Sequence, residues 1–368
     1  MRIAFFGSSL VSAYWNGAAT YYRGILRALH ERGHEITFYE PDAWERQQHR
    51  DIADPPYARS VVYSAKDAAE VQQTVKTAAS RGVDLLVKAS GVGVFDTLLE
   101  EAVLNFRPRA ARAVFWDVDA AATLEHMQHD RTDVLRRLIP RYDIVFTYGG
   151  GQVVIDAYIE LGARRCVPIY NALDPSTHYP VGPQLRFDAE LCFIGNRLPD
   201  REARVFEFFF EPARSHPEKR FLLGGSGWDD VVENFPNVEY LGHVYTRDHN
   251  ALNASPLAVL NVCRESMARC GFSPPTRIFE AAGAGACVIT DAWDGIERFL
   301  EPGCECLVAQ NGAEVSEHLR GLARARAKNI GQAALRRVLA EHTYAQRALQ
   351  VENALESIEP WESLRLSS

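Results

Sequence analysis

Short apolar runs recur along the chain, separated by stretches with helical periodicity. In the first half the runs are RIAFFG (2–7), EITFYE (35–40), DLLVKAS (84–90), AVFWD (113–117), IVFTYG (144–149) and RCVPIY (165–170). Runs this short, with apolar residues at successive positions, predict strands buried on both faces. The intervening patterns predict helices near 18–32, 66–81, 120–138 and 152–161. Strands alternating with helices imply a parallel sheet covered on both sides, whose ligands bind beyond the carboxyl ends of the strands. Those ends carry Gly7, Lys88, Asp117, Asp119, Tyr148, Gly149 and Asn171.

A second series begins after the segment NALDPSTHYPVGPQLRFD (171–188), whose three prolines and weak periodicity read as a linker. Its strands are LCFIGN (191–196), RFLLGG (220–225), VEYLG (238–242), LAVLNV (257–262), CVITD (287–291) and a last one near 306–309. Helices are expected at 200–212, at 247–253 and toward the C-terminus. The expected class is α/β, with two doubly wound Rossmann-like domains facing a cleft. Residues 1–180 would form the N-terminal domain and 181–345 a second, C-terminal domain. Residues 346–368 would form a terminal helix, ending in IEPW, that returns to the first domain.

Composition narrows the class without changing this picture. A chain of 368 residues exceeds one ordinary core, so two domains are expected. A net charge of −8 argues against nucleic acid as the main partner. The seven cysteines form no C-x-x-C pair, which suggests reduced thiols in a cytoplasmic setting and gives no metal-ligand spacing. No apolar run approaches the ~20 residues of a membrane span, so no transmembrane segment is expected. The apolar start, Ile3 to Phe6, reads as a first strand rather than a signal peptide.

Candidate chemistry concentrates in 257–291. Ser273 and Pro274 read as a helix start, followed by Thr276, Arg277 and Glu280 on one face. Free amides at a helix start beside arginines favour an anion. The other strand ends of this half carry compatible groups: Gly195, Asn196 and Arg197; Gly224 to Gly227 and Trp228; Gly242 and His243; Arg264; and Asp291. Glycines allow close backbone approach, arginines supply charge, and an indole or imidazole can lie on a flat ring. Together they point to a nucleotide diphosphate.

In the first half Asp117 and Asp119 are the acid–base candidates, with Glu125 and His126 close behind. The alternative is that Asp119 caps a helix beginning at Ala120 and that His126 is solvated. Lys88 either reaches a ligand or snorkels to solvent. Ten residues, SSLVSAYWNG, separate Gly7 from the next helix, and no G-x-G-x-x-G is present. A nicotinamide-type pyrophosphate turn is therefore not expected, and the loop with Gly17 reads as a cleft wall.

The run GFSPPTRIFEAAGAGACVITDAWDGIERFLEPGCE, with FIGNR, LGGSGW, NVEYLGHV and LNVCRESMA, resembles the CgeB-like, spore-maturation-type glycosyltransferases, relatives of the retaining GT-B enzymes. AVFWDVDA, YDIVFTYGGG and PIYNALDPSTHYPV extend the resemblance, more loosely, into the first half. The resemblance implies that Arg197 meets the diphosphate and that His243 and Val244 line the nucleobase. It implies that Pro275, Thr276 and Arg277 hold the phosphates and that Glu280 holds the ribose hydroxyls. The wider group carries a further acid eight positions before that glutamate; here the position is Phe272.

The expected activity is glycosyl transfer from a nucleotide diphosphate sugar, most readily a UDP-sugar, to an unidentified acceptor, without metal or other cofactor. Arg197, Arg264 and Arg277 would stabilise the leaving diphosphate. With retention, the acceptor proton would pass to the diphosphate; with inversion, Asp117 or Asp119 would be the base. Two other readings share the architecture: a sugar-nucleotide epimerase, and a non-catalytic sugar-nucleotide-binding or surface-assembly protein.

Overall fold

The structure is a computed structural model that describes residues 1–14 and 16–357. The expected IEPW segment and the residues after it lie outside those described. The chain divides into two compact units, Met1–Tyr170 with the stretch from Tyr344 onward, and Asn171–Thr343.

The first unit is built on seven strands: β1 Arg2–Phe6, β2 Glu35–Pro41, β3 Arg59–Tyr63, β4 Leu85–Ala89, β5 Arg112–Asp117, β6 Ile144–Thr147 and β7 Cys166–Pro168. Their order is β3-β2-β1-β4-β5-β6-β7, with parallel pairing throughout. This is the doubly wound arrangement, with its switch point beside β1. Central strands such as β4, LLVKA, are buried at every position. β3, by contrast, is an edge strand with two exposed residues. Its mixed pattern lacks the continuous apolar signal of its neighbours, so the sequence reading passed over it.

Two helices also depart from expectation. Asp96–Asn105 was not foreseen, and the stretch expected at 120–138 divides into Ala120–His129 and Val134–Leu138. The division is chemical: Asp130 accepts from the amide and hydroxyl of Thr132, and Asp133 caps the second helix through the Leu135 amide. The helix Tyr344–Glu356 packs on Ala19–Glu31 within this unit. Gly24 makes that approach possible, because a Cβ there would stand 2.1 Å from the ring of Tyr344.

The second unit has six strands: β8 Leu191–Ile194, β9 Phe221–Gly224, β10 Val238–Gly242, β11 Ala258–Asn261, β12 Val288–Asp291 and β13 Leu307–Ala309. Their order, β10-β9-β8-β11-β12-β13, repeats the connectivity of the first unit. An aromatic core of Phe193, Phe208, Phe209, Phe210, Phe221 and Trp228 fills one side of the sheet. The helix expected at 200–212 runs from Glu202 to Ser215, with a π-helical turn over Phe206–Phe210. Pro212 has no N–H for the carbonyl four residues earlier, which accounts for the loosened turn.

Candidate functional site

The stretch that the sequence singled out lies beyond β11 and β12, at the carboxyl edge of the second sheet. Residues 264–271 carry a short helix, Glu265–Cys270. The next helix, Thr276–Gly283, begins later than expected, with Pro275 in the N-cap position. Ser273 does not cap it; its hydroxyl donates to the Gly271 carbonyl, while Asn171 donates to the Pro274 carbonyl at 3.0 Å. The run SPP, unable to supply amides at either proline, is held extended by these contacts until Thr276.

Two cations converge near this helix start. Arg277 is on its first turn; its Nε is buried without a hydrogen-bond partner, and its buried Nη1, which also lacks one, faces Oε2 of Glu280 at 3.4 Å. Arg201 was missed by the sequence reading, which chose Arg197 four residues earlier. Its terminal nitrogen donates to the Asn196 carbonyl at 2.6 Å, and its buried Nε has no hydrogen-bond partner. Burial first, and then repulsion by Arg277 and Arg264, pushes the Arg201 guanidinium down to about 10. Such a cluster of positive charge with unfilled donors calls for an anion.

Arg197 itself is taken up by protein carboxylates. It donates to Glu202 at 2.6 Å and to Asp230 at 2.9 Å, and these bonds raise its pKa further. Its committed donors make it an anchor for the loop rather than a first choice for a diphosphate. Arg264 is similarly bound to Asp200 at 2.6 Å, a partly exposed pair close enough to Arg201 to add to the positive field.

The expected ring platform also needs correction. Trp228 is fully buried among the core aromatics, and its indole N–H donates to the Gly195 carbonyl at 2.8 Å. It supports the glycine turns from beneath and presents no face to a ligand. Those turns are tightly apposed: a Cβ on Gly225, where φ is +115°, would stand 2.3 Å from the Gly195 oxygen. His243 is exposed, edge-on to Tyr245, and Val244 leans over Gly224. Asp291 is buried against Arg204 and the Cys263 amide, joining β11 to β12. Phe272, the position where the resemblance expects an acid, has φ +44° and lays its ring on Gly295.

Glu280 is buried on the same helix as Arg277, one oxygen 3.4 Å from that guanidinium and the other 3.9 Å from Nε2 of His178. Burial pushes its pKa up, but the electrostatic pull of the His178 and Arg277 side chains outweighs burial and holds it below the ordinary glutamate value. His249 completes a cluster in which one ligand atom from each of the three residues lies within 4.8 Å of the others. Separations of 71 and 31 positions hid this group from any reading based on spacing.

In the first unit the candidates are internal. Asp117 is fully buried and accepts from Ser90, Thr123, the Asp119 amide and Tyr158, and burial raises its pKa. A carboxylate so occupied ties β5 to its neighbours, which removes the ground for choosing it as a base. Asp119 stands in the N-cap position of Ala120–His129, and its carbonyl accepts from the Thr123 amide. His126 is exposed and pairs with Asp133 at 3.4 Å. Lys88 neither snorkels nor reaches a surface ligand: it is wholly buried, donating to the Ala89 carbonyl and to Asp96. Gly17 is exposed, with open space where a Cβ would lie.

Residues 201–353 match the model of a family described as glycosyl transferase-like. Sequence comparison with curated proteins gives no match. Among solved structures, HepE of Anabaena, in complex with UDP and glucose, superposes with a TM-score of 0.71 at 17% identity, over 97% of this chain and 100% of that one. Sucrose-phosphate synthase from Thermosynechococcus elongatus gives 0.71 at 15% identity, covering both chains completely. The lipopolysaccharide outer core galactosyltransferase WaaB gives 0.62 at 13%, over 97% and 99%. At such identities the likeness is one of architecture, and the chain has the GT-B fold.

Proposed function

We propose that this protein is a glycosyltransferase that uses a nucleotide diphosphate sugar, with UDP as the expected nucleotide. The observation that carries the reading is the pair Arg201 and Arg277. Their buried, unfilled donors stand beside a helix start and close-packed glycine turns, at the strand ends where such folds bind ligands. The matched family description and the UDP-bound structural neighbours support the same substrate class.

In this reading Arg201, Arg277 and the amides from Thr276 onward hold the diphosphate, and Glu280 accepts from the ribose hydroxyls. The acceptor oxygen bonds to the anomeric carbon as the bond from that carbon to the phosphate oxygen breaks. The diphosphate leaves with the bonding pair, and the acceptor proton passes to one of its oxygens. Charge growing on the diphosphate is stabilised by the two guanidinium groups, so no metal is called for, and attack on the face that the diphosphate leaves, with the proton passing to it there, is proposed to give retention. No carboxylate of the first unit is needed as a base.

Calorimetric titration with UDP, GDP, dTDP and their sugars tests the assignment. Each arginine, removed singly by Arg201→Ala or Arg277→Ala, should weaken the preferred nucleotide by about 1.5–3 kcal/mol, roughly ten- to a hundredfold. Absence of binding by every nucleotide, or unaltered affinity in the double variant, would overturn it. A binding-only protein is the second reading, favoured by the apolar packing of Phe272 where an acid is expected. It predicts nucleotide binding with no release of free UDP from any UDP-sugar, even on prolonged incubation.

A further inference from the structure

The buried histidines beside Glu280 have a property that neither the fold nor the proposed reaction requires. Thr177 donates its hydroxyl hydrogen to the Asp174 carbonyl, so its oxygen accepts from Nδ1 of His178 at 3.0 Å. That places the His178 proton on Nδ1 and leaves Nε2 with a bare lone pair. His249 faces the Val244 carbonyl with Nε2 at 3.3 Å, which places its proton there and leaves Nδ1 bare. Both bare nitrogens are buried and lack a hydrogen-bond partner. An acceptor left bare in a dry interior is costly unless something electron-poor fills the space.

We propose that His178 Nε2, His249 Nδ1 and the Glu280 carboxylate form a site for a divalent transition metal of the zinc type. Two imidazoles and one carboxylate are the donors that such ions prefer, whereas magnesium and calcium select oxygen alone. The carbonyl and hydroxyl partners behind the rings orient each lone pair, as outer groups do at metal centres. Donors on a tetrahedral zinc ion lie roughly 3.3 Å apart. His178 and Glu280, at 3.9 Å, need only a small rotation to reach that spacing.

The scaffold holds the donors from three directions. Glu280 is on the helix Thr276–Gly283 and His249 on Thr246–Ala254. His178 lies on a turn clamped by Asn250, which donates to the Thr177 carbonyl at 2.9 Å and accepts from the Tyr179 amide at 3.2 Å. Arg277 faces the other oxygen of Glu280, leaving the one toward His178 for the metal and the fourth coordination position to water. Because Glu280 is also assigned to ribose, a bound metal acts as an inhibitor of nucleotide binding; that clause rests on the proposed function, while the metal site does not.

Cobalt(II) titration of the full chain after chelator treatment, without nucleotide, tests the site. One equivalent should give the visible bands of a four-coordinate nitrogen–oxygen centre, without near-ultraviolet thiolate bands, and zinc should displace it. His178→Gln and His249→Gln should each weaken cobalt at least tenfold, with circular dichroism and melting confirming that they fold. Failure of the wild-type chain to bind either metal, thiolate bands, or full affinity in both variants would overturn the site. In a separate titration, zinc should weaken UDP at least tenfold in the wild type and far less in His178→Gln. Equal UDP affinity with and without zinc would overturn the inhibitory role. If UDP fails to bind at all, the proposed function falls while the cobalt result still decides the metal site.

Discussion

Gly283→Ala is the substitution that most directly probes how the second unit assembles its site. In an unencumbered helix the change should stabilise, because alanine is favoured over glycine by about 0.8–1 kcal/mol. Here the added Cβ would stand 2.3 Å from Cδ1 of Leu173 and 3.2 Å from the His178 carbonyl oxygen. Neither neighbour can yield freely. Leu173 is 1% exposed, and its amide is bonded to the His342 carbonyl at 2.8 Å. The turn at His178 is clamped by Asn250. Overpacking of this kind costs about 1–3 kcal/mol, which offsets the helical gain and leaves an expected net loss of up to about 2 kcal/mol.

Relieving the clash also lifts the 173–178 segment from the helix, which moves His178 away from Glu280. Gly321→Ala is the internal control, because nothing lies within 4 Å of a Cβ at that helical position. It should be neutral or stabilising by up to about 1 kcal/mol. Urea unfolding of both variants, followed by fluorescence and circular dichroism, gives the comparison. A Gly283→Ala protein as stable as the Gly321→Ala protein, with wild-type cobalt affinity, would refute the reasoning.

The remaining predictions separate residues that serve the ligand from residues that serve the fold. Arg197→Ala should leave nucleotide affinity within a few-fold of wild type, because its donors are engaged by Glu202 and Asp230, whereas Arg201→Ala should produce the larger loss; calorimetry with the preferred nucleotide reads the difference, and the reverse order would restore Arg197 as the phosphate contact. Burial raises the pKa of Asp117 in the folded state. Its contribution to stability is therefore fully present below the unfolded value of about 3.9 and is lost as pH rises through the raised folded value. Asp117→Asn should remove that part of the pH slope in urea midpoints, and an unchanged slope would show that the carboxylate does not titrate as its burial implies.

Much of the fold was legible because its determinants are local. Buried parallel strands announce themselves as contiguous apolar runs, as in LLVKA and AVLN, and the alternation with helices specifies the class. The edge strand Arg59–Tyr63 escaped because a half-exposed strand loses that signature. The helix start near Thr276, with Arg277 and Glu280 in its first turns, was readable from neighbouring residues, although two prolines delayed it beyond Ser273.

Side-chain commitments were not readable, because they depend on partners distant along the chain. Sequence alone cannot tell that Arg197 turns to Asp230, thirty-three positions away, while Arg201 keeps an unfilled nitrogen beside Arg277. Nor can it tell that Trp228 is swallowed by the core or that Asp117 is consumed by four donors. His178, His249 and Glu280 meet only because Gly283 admits a close-packed turn and Asn250 clamps it. Local periodicity determined which segments would be strands and helices. Only tertiary packing, through burial and the competition of partners for each charge, decided which polar groups remain for a ligand.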